Sequence, residues 1–271
     1  MGFRQTYPIR AAWLPAPSKR RAGIALNPGV RFIVAHDTGN PGSTAAQNVR
    51  YYARSSNEQS ASAHLFVDDR EIVECVPAIT APPEKAWHVR YAVATDDQLF
   101  GHDANDAAIG VEYCYGGAID ADEAYRRYVW TLACLCDRFG LEPGRHIVGH
   151  CFLDPGRKTD PVTGLAASRR SYEQLLRDVA DEFRLSRGEM PPGPVETPVT
   201  GTATTHVRLN LRKGVPSTRA PISRTVPAGT SLAFIASTVA GEPVNGNGLW
   251  YRTAAAEWFW GGGVGVLVPP P

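Results

Sequence analysis

The sequence predicts an α/β domain followed by a small all-β barrel. Three observations lead to this: strand-like and helix-like periods alternate through the first two thirds, a proline-rich stretch without apolar periodicity follows, and the remainder breaks into short strand candidates separated by Gly, Pro, Asn and Ser. At 271 residues the chain suits one moderate domain and a small one.

In the first domain, residues 31–36, 64–67 and 71–76 are short β-branched or apolar runs, and the last two can pair across Asp68-Asp69-Arg70. Between the first two runs, Ser43 is placed to cap a helix reaching Asn57. Residues 108–115 form another strand candidate. Asp122 then caps a helix to Phe139, with Tyr125, Leu132, Cys136 and Phe139 inward and Gly140 as terminator. Residues 145–149 follow Pro143-Gly144, contain Ile147-Val148 and lean to strand. After Ser168, the side chains Tyr172, Leu175, Leu176, Val179, Ala180 and Phe183 recur at helical spacing.

The stretch 187–203 reads as a stiff spacer, at ~3.1 Å per residue where polyproline-like. The expected boundaries are therefore 1–186, 187–203 and 204–271. In the last segment, 207–212, 222–226, 231–236, 250–253 and 258–260 are strand candidates, which suggests a small barrel.

A net charge of +1 argues against a dedicated nucleic-acid binder, and Lys19-Arg20-Arg21 reads as a solvated loop. The five cysteines are odd in number and lack zinc-finger spacing, so no disulfide framework is required. No N-terminal stretch suits a signal peptide and no run could span a bilayer. The expectation is synthesis in the cytoplasm without a signal peptide and no membrane partner.

The chemistry centres on His150, Lys158 and Asp160, the carboxylate lying ten residues after the histidine. His36 follows Ile33-Val34-Ala35 at a strand end, beside the small-residue loop Gly39-Asn40-Pro41-Gly42, where a rigid element can present a ligand at a cleft mouth. Two neutral imidazoles and one carboxylate are a common catalytic zinc set, with a fourth position left for water. His146 would share a helix face with His150, but Pro143 and the β-branched pair between them argue against a helix, so His146 reads as structural or exposed.

Lys158 and Asp160 point to one side of an extended chain. Lys158 then either meets the oxyanion of an amide hydrolysis or forms a surface salt bridge with Asp154 that is worth little. In Ile109-Gly110-Val111-Glu112-Tyr113, alternation sets Glu112 opposite Ile109 and Val111. A lone glutamate there is either solvated or buried for use, and beside a metal set it reads as the general base.

Five motifs in order carry a family resemblance: Ile33 through Gly42, Ser62-Ala63-His64-Leu65-Phe66-Val67-Asp68, Ala86-Trp87-His88, Ile109-Gly110-Val111-Glu112, and Val148-Gly149-His150 through Lys158-Thr159-Asp160-Pro161. They resemble zinc-dependent N-acetylmuramoyl-L-alanine amidases of the type-2 kind, which share a fold with peptidoglycan recognition proteins. The resemblance implies a mixed central β-sheet flanked by helices and hydrolysis of the lactyl amide between N-acetylmuramic acid and L-alanine of the stem peptide. It matches His36, His150 and Asp160 to the ligands of one zinc ion, Glu112 to the catalytic glutamate and Lys158 to the transition-state lysine.

By the same resemblance His64, Trp87 and His88 look like cleft-lining, substrate-binding residues, and Asn40 a contact for the stem peptide. The residues alone leave His64 open between a satisfied histidine at a strand start and a cleft residue, and Trp87 open between core and sugar stacking. Residues 208–214, 216–218, 226–230 and 258–262 resemble a bacterial SH3-like cell-wall module, which implies tethering to peptidoglycan. A phage-type endolysin released through a holin-type membrane lesion, or an autolysin, is the expected role. A non-catalytic peptidoglycan receptor on the same fold and a zinc peptidase cutting within the stem peptide are the alternatives.

Overall fold

The computed structural model describes residues 2–189 and 193–268. They form two compact units, residues 2–183 and residues 184–268. In chain order the first unit holds β1 (Ile9–Ala11), β2 (Phe32–Asp37), α1 (Ala45–Arg54), β3 (Leu65–Val67), β4 (Ile72–Glu74), α2 (Thr95–Phe100), α3 (Ala104–Ala107), β5 (Ala108–Tyr113), α4 (Ala121–Phe139), α5 (Pro143–His146), β6 (Ile147–Gly149), α6 (His150–Leu153), α7 (Val162–Ala167) and α8 (Tyr172–Ser186), whose last turn lies past the division.

Six strands make a mixed sheet in the order β1-β4-β3-β5-β2-β6. β2 runs parallel to both β5 and β6, β3 is parallel to β5, and only the β3–β4 hairpin is antiparallel. Central parallel strands need apolar side chains on both faces. β2 meets that with Phe32, Ile33, Val34 and Ala35, all 0% exposed. The larger core joins Ile33, Val111, Tyr128, Leu132, Leu175 and Val179 on one side of the sheet, while Phe32, Val34, Ala108 and Val148 pack on the other.

Helix starts differ from expectation by one or two residues. Thr44, not Ser43, caps α1, through a capping box with Gln47. Asp120, not Asp122, caps α4: its backbone is extended and its carboxylate accepts from the N–H groups of both Asp122 and Glu123. Gly140 ends that helix in the left-handed conformation, as expected. Around His146 the chain makes the single turn α5 before β6 and another, α6, after it, so His146 and His150 do not share a helix.

Arg20 corrects the reading of its cluster as a solvated loop. It is 1% exposed, its guanidinium stacks 4.1 Å over the Tyr52 ring, and its Nη2 donates to Ser55 and Gln59.

The second unit contains β7 (Thr197–Thr205), β8 (Leu209–Lys213), β9 (Ile222–Val226), β10 (Ser231–Thr238), β11 (Trp250–Arg252), β12 (Glu257–Trp260) and β13 (Val264–Val268). All pairings are antiparallel, in the order β13-β7-β10-β11-β12-β8-β9. Alternation in β10 turns Leu232, Phe234 and Ala236 inward, and the first two join Leu209, Leu211, Tyr251 and Phe259 in a core.

The expected spacer over 187–203 is therefore shortened from its C-terminal side, because β7 begins at Thr197. Its Pro198 lacks an N–H, yet it lies outside the part of β7 that pairs with β13, beside an irregularity in the pairing with β10.

Candidate metal centre and cleft

Register alone brings the key residues into one row. His36 of β2 is the partner of Glu112 on β5, and Ala35 is the partner of Gly149 on β6, the residue before His150. Glu112, His36 and His150 thus sit at the carboxyl ends of three adjacent parallel strands, where open α/β sheets place their sites. Asp37, one residue on, ties that end down by accepting from Gly39 N–H at 3.0 Å and from Gly164 N–H of α7 at 2.7 Å.

Asp160 arrives from the loop between α6 and α7, its carbonyl accepting from Cys151 N–H at 2.8 Å. Its Oδ2 lies 2.9 Å from His36 Nδ1 and 3.1 Å from His150 Nδ1. The three groups offer ligand atoms that all lie within 4.8 Å of one another. Ligand atoms held tetrahedrally at ~2.0–2.2 Å from a zinc ion would be about 3.3 Å apart, so the spacing suits such an ion.

Electrostatics agree with the donor set. Burial pushes the His36 imidazole down to about 4, against the raising effect of its bond to Asp160, so the ring is neutral near pH 7. For Asp160, burial raises the carboxyl, but the bonds from His150 and His36 outweigh it and hold the group well below its usual range. Neutral imidazoles and an ionised carboxylate are the forms that bind a metal.

A cleft of about 340 Å³ opens over this set, lined also by Glu112, Lys158, Trp87, His88 and Tyr52. Burial drives the Glu112 carboxyl well above its ordinary value, the charges of Asp160 and Asp37 add to this, and Lys158 opposes it. Glu112 Oε2 is buried without a hydrogen-bond partner in the protein. An unpaired buried carboxyl oxygen is costly, and such groups cluster where chemistry is done. The salt bridge considered between Lys158 and Asp154 does not form, because Asp154 pairs with Arg157. Lys158 makes no ion pair among the described residues and faces the cleft.

Of the four expected substrate contacts, the structure brings two to the cleft. Trp87 is half-buried on its wall, 6.1 Å from the Tyr91 ring, and His88 lies beside His36. His64 is corrected to a core residue: it is 0% exposed, its Nδ1 accepts from Gly110 N–H at 3.0 Å, and its Nε2–H donates to the Glu84 carbonyl at 2.8 Å. With both nitrogens used inside the protein it does not line the cleft. Asn40 is exposed in the turn after β2, its carbonyl accepting from Ser43 N–H, and it is not among the lining residues either.

Two tyrosines were missed by sequence reading. Tyr52 lines the cleft from α1, where it follows Asn48 and Val49 at helical spacing on the inner face. Tyr128 of α4 lies beneath the site, its hydroxyl 3.1 Å from the His36 carbonyl and 3.3 Å from that of Val111. The same helical period that turned Tyr125 inward marks Tyr128.

Fold and donor set together place a candidate metal site at the end of a mixed sheet. The model of the N-acetylmuramoyl-L-alanine amidase family matches residues 26–163, just over half of the chain, and the chain belongs to that family. N-acetylmuramoyl-L-alanine amidase BlyA of Bacillus subtilis (strain 168) is 32% identical over 169 residues, covering 59% of this chain and 43% of that protein. N-acetylmuramoyl-L-alanine amidase CwlL of Bacillus licheniformis is 31% identical over 167 residues, covering 58% and 44%. The chain thus spans less than half the length of these curated relatives.

Among solved structures, the catalytic domain of XlyA aligns with a TM-score of 0.50 at 24% identity, over 64% of this chain and 99% of that one. Staphylococcus aureus hydrolase AmiA, solved in complex with its ligand, aligns with a TM-score of 0.54 at 22% identity, over 69% and 89%. These two likenesses concern the fold.

Proposed function

We propose that the protein is a zinc-dependent peptidoglycan hydrolase, an N-acetylmuramoyl-L-alanine amidase cleaving the amide between the lactyl group of N-acetylmuramic acid and L-alanine of the stem peptide. One observation carries the reading: two buried imidazoles converge on one oxygen of Asp160, with an unpaired carboxyl oxygen of Glu112 in the same cleft. Membership of the family and the activity named for the two curated relatives support it.

His36, His150 and Asp160 would hold the ion. When bound, it supplies Lewis-acid chemistry towards a water and the amide carbonyl. Glu112, its carboxylate disfavoured by burial, accepts the proton lost by the attacking water and returns it to the departing amine of L-alanine as the carbon–nitrogen bond breaks. Lys158 meets the negative charge that grows on the carbonyl oxygen. Half-buried Trp87 offers an apolar wall to the substrate.

The second unit is read as an SH3-like module that tethers the catalytic unit to its insoluble polymer, as expected of a phage-type endolysin or an autolysin. Its support is an all-antiparallel sheet with its own core.

Digestion of purified peptidoglycan followed by mass analysis of the products tests the reading. Intact glycan strands and stem peptides with a free L-alanine amino group are expected. New reducing ends, cuts inside the stem peptide, or no cleavage would each reject it.

A further inference from the structure

His88 does more than line the cleft. Its ring stands edge-on to that of His36, the centroids 5.2 Å apart at 85°, and His36 Nε2 lies 3.1 Å from His88 Nδ1. A neutral imidazole carries one N–H, and the hydrogen bond its second nitrogen makes decides which nitrogen that is. If His36 offers the lone pair of Nδ1 at the metal centre, its proton resides on Nε2, and His88 Nδ1 is the acceptor.

We propose that His88 is a positioning residue for the metal ligand His36, accepting the His36 Nε2–H so that the tautomer and the ring plane of the ligand are held once Nδ1 turns its lone pair to the ion. The inference rests on the zinc reading given above. Ligating histidines hand their second N–H to a carboxylate, a backbone carbonyl or water in most metal sites. Here the acceptor is a second imidazole, which adds no negative charge to a cleft already holding Asp160 and Glu112.

The protein holds His88 in place from two sides. Asn105, 1% exposed, accepts from the backbone N–H groups of His88 and Val89 at 2.9 and 3.1 Å and donates back to the Val89 carbonyl at 2.6 Å. On the other side the ring lies against Gly110 of β5, where an added Cβ would come within 2.8 Å of His88 Cγ and Nδ1. A bare Cα is what lets the ring approach the strand. The far nitrogen, Nε2, is buried without a hydrogen-bond partner in the protein.

The test is zinc affinity of the full chain, measured by competition with a chromophoric chelator, with circular dichroism as a check on folding. His88→Leu removes the acceptor and should weaken zinc binding about 10- to 100-fold, the range for lost outer partners of metal ligands. His88→Asn places an amide oxygen near the position of Nδ1 and should recover most of that loss. Gly110→Ala displaces the ring while deleting no polar atom and should weaken binding in the same direction, which keeps the test informative if His88→Leu fails to fold.

Unchanged affinity in a folded His88→Leu, or an Asn variant no better than Leu, overturns the proposal while leaving the zinc reading intact. A wild-type chain that binds no zinc overturns the zinc reading itself.

Discussion

His64 offers a direct measure of how burial sets the behaviour of a histidine in this domain. Its ring is 0% exposed and both nitrogens are bonded within the protein. Burial lowers its pKa from 6.5 to about 4. Because the folded value is depressed, an unfolded chain takes up a proton as the pH falls through about 6.5, whereas the folded chain refuses it until about 4. The stability that goes with a neutral His64 is therefore complete above that window and lost within it. At about 1.4 kcal/mol per pH unit, the loss amounts to about 3 kcal/mol.

The perturbation is His64→Asn, whose amide oxygen can still accept from Gly110 N–H but which leaves the Glu84 carbonyl without its donor. At pH 7 this should cost ~1–3 kcal/mol. At pH 4 the wild type has lost its His64 contribution and the variant has none to lose, so the gap between them should close by about 3 kcal/mol. Urea unfolding of the metal-free chain at the two pH values measures it. A gap that stays constant refutes the reasoning. A variant of normal stability with a raised KM would return His64 to the substrate cleft.

Other outcomes follow from the site. Glu112→Ala should keep zinc and lose ~10²–10⁴-fold in amide hydrolysis, the usual weight of a general base; full activity would remove Glu112 from that role. Zinc at a hundred times its Kd should add ~2.7 kcal/mol of stability, a rise of about 5–11 °C in Tm for a domain of this size, and chelation or Asp160→Ala should abolish the rise in a thermal melt. Deleting residues 193–271 should reduce pelleting with cell walls while sparing hydrolysis of soluble wall fragments, and undiminished pelleting would count against a tethering role.

Much of the candidate site was legible because the positions that could hold a metal follow strong local signals. His36 closes an apolar β-branched run, so a strand end was readable there, and Lys158 and Asp160 sit in a loop marked by Pro155-Gly156. Cap positions were less legible. Ser43 and Thr44 are equally good caps by type, as are Asp120 and Asp122, and only the backbone conformation at the helix entrance chooses between them. The strand over Thr197–Thr205 was hidden by Pro198, since a proline penalises the assignment unless the missing N–H is known to face no partner.

The sequence by itself determined the order of the central strands and the three long helices, the division into an α/β unit and an antiparallel unit, and the residue types able to hold a metal ion. Those follow from period and side-chain chemistry, which are local. Tertiary structure alone decided what each histidine does. The parallel register of β5, β2 and β6 aligns Glu112, His36 and His150, although they are far apart in the chain. His64 and His88 look alike in their motifs, yet one has both nitrogens satisfied in the core and the other turns Nδ1 to His36. Hydrogen-bond partners across strands depend on which surfaces meet, and no local pattern encodes that.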